Sequence, residues 1–202
     1  MSEKNTAPVK KNAPQGAIHA VFDYVEMFVF TVAAVILLLS FFFRLCVVSG
    51  PSMNDTLLNG EKLIVSDLFY KPDRGDIIVF HQTSETNDQF NEPIVKRVIA
   101  TEGEFVKIDY IQSKVYVSAD NVFTEDEVQS EDYIIEGKPH YLAYTANVFV
   151  YEVPKGHLFV MGDNRPVSAD SRYPAVDFVD ERRVLGKVLF RVTPFSKFGK
   201  VE

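Results

Sequence analysis

The stretch "MFVFTVAAVILLLSFFF", Met27 to Phe43, decides how the rest of the chain is read. It runs 17 residues without a charge, a glycine or a proline. As a helix rising 1.5 Å per residue it is about 25 Å long, close to a hydrocarbon core of about 30 Å. Arg44 follows with a side chain long enough to snorkel, and Leu45 to Val48 stay apolar. A cleaved signal sequence would have a shorter apolar core and a small-residue exit, whereas this run leaves through three phenylalanines and an arginine. The reading is a retained transmembrane anchor over residues 25–44, preceded by a tail over 1–24. The first part of that tail, "MSEKNTAPVKKNAPQ", is polar, proline-bearing and expected to be disordered. Lys4, Lys10 and Lys11 precede the span, while Arg44 and Lys62 follow it. The positive-inside rule then favours a cytoplasmic N-terminus and an extracytoplasmic domain over 45–202.

Beyond Arg44 lie 158 residues with 17 basic and 25 acidic side chains, a net charge of −8. That balance excludes a nucleic-acid partner, which requires a basic footprint. Cys46 is the one cysteine, so neither an intramolecular disulfide nor a Cys-rich metal site can form. Short runs rich in Val, Ile, Phe and Tyr recur between turn signals: "EKLIVSD", "DIIVFHQ", "IVKRVIA", "EFVKIDY", "SKVYVS", "NVFVYEVP", "HLFVMGD" and "GKVLFRV". The predicted fold is therefore mainly β: one N-terminal transmembrane helix followed by an antiparallel β-sheet domain. An acidic segment, Ser118 to Lys138, separates two strand-rich blocks and reads as a solvated insertion. Its carboxylates lack the spacing of a calcium loop.

Three stretches carry possible chemistry. In "VVSGPSMNDTLL", Val47 to Leu58, a Gly-Pro turn holds Ser52 directly after the apolar span. In "PIVKRVIATEGE", Lys96 and Arg97 sit inside an apolar run, and strand alternation sends one of them toward apolar surroundings. A lysine buried there loses its proton readily, and a neutral amine can take the proton of a serine hydroxyl. A lysine on the solvent face of an edge strand, beside a carboxylate-paired Arg97, is the plainer alternative. In "FVMGDNRPVSADSR", Phe159 to Arg172, a strand ends in a tight turn followed closely by Ser168, Asp170, Ser171 and Arg172. Polar groups packed this densely after a buried strand form a satisfied network around a site.

Taken in order, the anchor, "SGPSMNDTL", "KPDRGDIIVF", "VKRVIATEGE" and "MGDNRPVSADSR" resemble bacterial type I signal peptidase, and in detail its Gram-positive members. The resemblance implies a membrane-anchored serine endopeptidase that removes signal peptides, cutting after small residues of the Ala-x-Ala type at the outer membrane surface. It implies Ser52 as nucleophile, Lys96 as general base, and Met53 lining the cleft. Ser168 would hydrogen-bond the lysine amine, while Asp170 with Arg172 and Arg97 with Asp163 would form two salt bridges. No cofactor and no metal are implied. The partners would be signal-peptide-bearing preproteins and the lipid bilayer, with the secretion translocon nearby.

The chain departs from the family pattern in three places. Asp55 stands where a proline is usual, which suggests a looser turn; Pro166 and Val167 fill variable positions. Gly50 stands where some members have a serine that helps the oxyanion hole, which leaves the Ser52 backbone N–H as the main identifiable donor. Two other readings compete. A self-cleaving repressor-type protease would carry a DNA-binding domain and no span, and a degenerate assembly factor would have lost Ser52 or Lys96. The rival bases for Ser52 are His81, His140 and His157.

Overall fold

The structure, a computed structural model, describes residues 15–82, 92–129, 131–134 and 148–201. The chain divides between Phe41 and Phe42 into two units. The first contains all but the last residue of the helix α1, Gln15–Phe42, whose stretch His19–Phe42 is long and apolar enough to cross a membrane. It begins well ahead of residue 25 and stops two residues short of Arg44.

Phe43 and Arg44, expected to end the anchor, instead open the first strand of the second unit, which runs on through Leu45 to Val47. This strand, β1 (Phe43–Val47), pairs antiparallel with β2 (Lys62–Ser66), with Arg44 opposite Val65 and Val47 opposite Lys62. Arg44 is held by the domain: its guanidinium donates to the Leu185 carbonyl at 3.2 Å and to Asp67 at 3.4 Å.

The domain follows the predicted class. Its strands are β3 (Ile77–Phe80), β4 (Ile94–Ala100), β5 (Phe105–Asp109), β6 (Lys114–Ser118), β7 (Val148–Glu152), β8 (His157–Met161), β9 (Val179–Asp180), β10 (Val184–Thr193) and β11 (Gly199–Lys200). Among the described residues they make two antiparallel sheets. The larger runs β1-β2-β10-β3-β4-β8-β9 with β11 on β10, and the smaller runs β6-β5-β7. All eight apolar runs picked out in the sequence are strands; the two-residue β9 and β11 carry too short a pattern to be seen.

The interior has three apolar clusters. One gathers Met53, Leu57, Leu63, Val65, Ile77 and Val79 beneath β2 and β3. A second packs Val106, Ile108, Val115, Phe159 and Met161 between the sheets, and a third packs Ile78, Phe80, Val98, Leu158 and Val160. β4 lies between β3 and β8 in the large sheet, and every residue from Lys96 to Ala100 is buried. A strand walled in like this has no solvent face for a charged side chain to choose.

Because the second unit contains its own sheets and clusters, a chain beginning at Phe42 should fold unaided and melt in one cooperative transition by circular dichroism. Beginning it at Ser49 removes β1, and the melting midpoint should drop by about 5–10 °C, given about 2–4 °C per kcal/mol for a domain of this size. Equal midpoints for the two chains would show that β1 contributes nothing to the sheet.

Candidate active site

Ser52 sits in the loop that joins β1 to β2. The neck of that loop is closed by two backbone bonds, Val48 N–H to the Glu61 carbonyl and Gly60 N–H to the Val48 carbonyl, both 2.9 Å. Beyond the neck, Met53 and Leu57 are buried in the first cluster at 1% and 0% exposure. Burying side chains of that size is worth about 1.5–3 kcal/mol each, and the Leu57 N–H donates back to the Met53 carbonyl at 2.8 Å. The serine is therefore pinned by the residue after it, while its own side chain stays partly exposed.

Two positions in the loop require unusual backbone. Gly50 has φ +84°, a left-handed value, with open space where a Cβ would stand. Glycine is there for backbone freedom and not for lack of room. Asp55 has φ +87°, which a proline ring, locked near −65°, could not adopt. Hydrogen bonds from the Asn54 N–H to the Pro51 carbonyl and from the Thr56 N–H to the Met53 carbonyl keep the turn closed, so the looser turn suggested by Asp55 is not seen.

Lys96 and Arg97 are both buried, each at 3% exposure. Alternation was expected to bury one of them, but β4 is covered on both sides, so both are drawn in. Lys96 Nζ lies 2.8 Å from Ser52 Oγ and 3.0 Å from the Val95 carbonyl oxygen. Burial lowers the Lys96 pKa from its ordinary 10.5 to about 8. The nearby Asp170 and Asp163 pull it back up, and Arg172 pushes it further down.

Arg97 forks onto Asp163, Nε to Oδ1 at 2.9 Å and Nη2 to Oδ2 at 2.7 Å, and donates to the Gly75 carbonyl at 3.0 Å. Asp163 also accepts from the Thr56 hydroxyl at 2.5 Å, which ties it to the Ser52 loop.

The loop after β8 completes the constellation. Asp170 is fully buried and receives Arg172 through two bonds of 2.7 and 2.8 Å, together with the Gly162 N–H at 3.0 Å. Burial alone would raise the Asp170 pKa, but the Arg172 charge and these hydrogen bonds outweigh it and hold the carboxyl below the usual range. Asn164 reaches the Ser52 loop twice, its backbone N–H donating to the Ser52 carbonyl and its side-chain amide to the Pro51 carbonyl, each at 3.0 Å. Gly162 has no room for a side chain: a Cβ there would stand 2.2 Å from Ser168 Oγ and 2.4 Å from the Ser52 carbonyl oxygen.

The structure thus brings Gly50, Ser52, Met53, Lys96, Arg97, Asp163, Ser168, Asp170 and Arg172 to one locality. Both expected salt bridges form. The expected bond from Ser168 to the lysine amine does not. The Ser168 hydroxyl is buried at 1% exposure and has no hydrogen-bond partner among the described residues. It nonetheless lies near enough to the Asp170 carboxylate to help hold it ionised.

Of the rival bases, His81 is exposed, His157 is tied to the Lys155 carbonyl at 3.0 Å, and His140 lies outside the described residues. Sequence reasoning passed over Thr56, Gly162, Asn164 and Arg165. All but Thr56 stand inside the quoted "MGDNRPVSADSR", where the density of polar residues was the signal. Thr56 lies in "SMNDTL" and nothing marked it.

Residues 21–193 match the family described as signal peptidase, peptidase S26. Signal peptidase IB of Staphylococcus aureus is 35% identical over 166 residues, covering 75% of this chain and 78% of the relative. The probable signal peptidase I-1 of a Synechocystis species is 34% identical over 160 residues, with 76% and 73% covered. A solved signal peptidase I from Enterococcus faecalis V583 is 32% identical, covers 58% of this chain and 97% of its own, and superposes with a TM-score of 0.43.

Gly162→Ala gives a direct test of the packing between the two loops. The methyl group can fit only by displacing the Ser52 backbone, and overpacking of this kind costs about 1–3 kcal/mol. The melting midpoint should fall by several degrees relative to Gly50→Ala. At Gly50 the added methyl meets nothing, and the expected cost is backbone strain of about 1 kcal/mol. A Gly162→Ala protein as stable as the parent would mean that the loops are not packed this closely.

Proposed function

The chain belongs to the signal peptidase family, peptidase S26, and from that premise we propose that it removes signal peptides with Ser52 as nucleophile and Lys96 as general base. The observation that carries the reading is the 2.8 Å separation of Lys96 Nζ from Ser52 Oγ, with the lysine almost wholly buried. At that distance a neutral amine accepts the hydroxyl proton as Oγ attacks the scissile carbonyl. The tetrahedral oxyanion is met by the Ser52 backbone N–H, which donates to no acceptor among the described residues. The Lys96 ammonium then gives its proton to the departing amine, leaving an acyl ester on Oγ. Lys96 next deprotonates the water that releases the signal peptide, and Ser52 regains its proton. The site residues supply every proton transfer in this sequence.

The cleft beside Ser52 has a volume of ≈ 260 Å³ and is bounded by Val47 to Met53 on one side, Pro93 to Lys96 on the other, with Val167 and Ala169. The start of β4, Ile94 to Lys96, pairs with β3 on one side only, and its other edge along the cleft suits an extended peptide that adds there as a strand. So small a space favours small side chains before the cut, as in an Ala-x-Ala site. Membrane anchoring through α1 brings the domain to its substrates, which lie in the same bilayer. We assign the N-terminus to the cytoplasm from Lys4, Lys10 and Lys11, and the domain to the outer surface, where preproteins leave the translocon.

Purified full-length protein in detergent should cut a signal-peptide-bearing preprotein, and Ser52→Ala should abolish the cut while leaving the circular dichroism spectrum unchanged. A Ser52→Ala protein with substantial residual activity would overturn the nucleophile assignment. Lys96→Arg should be as inactive as Lys96→Ala, because a guanidinium does not give up its proton here. The rate should rise with pH through a single ionisation near 8, since the neutral amine is the active form and its fraction grows above the pKa. An acidic limb that survives Lys96→Arg but disappears in His81→Gln, His140→Gln or His157→Gln would assign the base to a histidine instead.

A further inference from the structure

The acidic segment after β6 is expected to be solvated, and Glu125 and Asp126 are exposed, while Glu127 is half-buried and caps Thr124. Its far end behaves differently. Glu131 to Ile134 form a turn closed by the Ile134 N–H on the Glu131 carbonyl at 2.8 Å. This turn packs on the loop that follows β8. The Glu131 carboxylate takes a short hydrogen bond from Arg165, whose side chain is wholly buried and whose Nε donates to the Gly162 carbonyl at 3.0 Å. Two residues on, the Tyr133 ring lies 3.8 Å from the guanidinium carbon of Arg97, which is itself forked onto Asp163. One short turn therefore touches both guanidinium groups that fix Gly162 and Asp163, and the next residue is Asn164, which holds the Ser52 loop.

We infer that Glu131 and Tyr133 are positioning residues for the reaction, a strap that fixes Arg165 and Arg97 and so holds the loop after β8 against Ser52 and Lys96. The inference rests on the Ser-Lys reading above. Each contact has a physical reason. A buried guanidinium must have its charge balanced, and Glu131 is a carboxylate that Arg165 reaches. The flat face of Arg97 has no hydrogen-bonding group, so an aromatic ring is the partner that covers it and excludes water. The Tyr133 phenol is pushed up by burial and by Glu131, so it stays neutral where the enzyme would work.

Loosening the strap has a predictable effect on the amine. The charged groups facing Lys96 are Asp170 and Asp163, which favour its protonated form, and Arg172, which opposes it; burial is the larger influence and lowers its pKa. Water admitted around Arg97 and Asp163 weakens that burial. The amine then holds its proton to higher pH.

The test uses the full chain and one preprotein, with kcat, KM and the pH profile measured below the melting transition of every variant. Tyr133→Leu and Glu131→Gln should each lower kcat by about 10–100-fold, the range found when supporting residues of a site are removed. KM should move little, and the acidic limb should shift to higher pH. Tyr133→Phe keeps the ring over Arg97 and loses only the long contacts of its hydroxyl, to Glu131 at 3.3 Å and from Arg165 at 3.4 Å, so it should stay near the parent, as should a protein carrying Glu125→Gln, Asp126→Asn and Glu127→Gln together. If Glu131→Gln proves unstable, the Tyr133→Leu and Tyr133→Phe pair alone decides. Strap variants with kcat within about threefold of the parent, or a lowered kcat with the limb unmoved, would overturn the inference while leaving the dyad intact. Cleavage that persists in Ser52→Ala would instead remove the reading on which the inference rests.

Discussion

Everything in the site follows from the burial of one amine. Lys96 is almost wholly shut off from solvent, and among the described residues no carboxylate is hydrogen-bonded to it; its amine meets a hydroxyl and a carbonyl oxygen. Those neighbours can solvate a neutral amine at little cost but compensate an ammonium poorly. Asp170 and Asp163 are close enough to pull the pKa upward, yet each is already committed to an arginine. The two salt bridges matter to the lysine for this reason. They supply the carboxylates' positive partners, so that the lysine need not.

The same arrangement explains why so many charges are buried in a domain of this size. A buried ion pair is seldom a net stabiliser, because desolvation offsets most of its Coulomb energy. What it does supply is geometry: the Arg172 fork on Asp170 and the Arg97 fork on Asp163 each fix two side chains through paired bonds. Gly162 then lets the loop after β8 approach until Ser168 and the Ser52 backbone nearly meet. Rigid charge pairs and a missing side chain together set distances that apolar packing alone would leave loose.

Much of this was legible in the sequence, and the gaps have identifiable causes. Eight apolar runs bounded by turn signals marked eight strands, because period-2 alternation and β-branched residues are strong local signals. β1 was hidden because "FRLCV" continues an apolar helix without a break, and only its pairing with β2 shows where the helix must stop. Lys96 and Arg97 were recognisable as charges in an apolar run, but their shared burial depends on β4 lying inside the sheet, and one strand's sequence does not encode its neighbours. Glu131 and Tyr133 were missed for a related reason. In an acidic stretch nothing local separates a carboxylate facing water from one facing a buried arginine contributed by a loop more than thirty residues later.

With Lys96 as the proposed base, the same burial links catalysis to stability. Its amine titrates near 8 in the fold and near 10.5 when unfolded. Between those values the unfolded chain binds more protons, so stability rises with pH across that window. Below about 8 both states are protonated, and the fold carries the full cost of a buried ammonium, about 3 kcal/mol at 1.36 kcal/mol per pKa unit. That cost is a substantial part of the 5–15 kcal/mol by which domains are stable, and the remaining interactions must carry it. The clusters beneath β2, the bonds that close the Ser52 loop and the paired arginines hold the amine in place against its own tendency to reach water. A looser domain would relieve the cost by letting water in, and the lysine would regain its ordinary pKa and with it lose the neutral form that the proposed role requires.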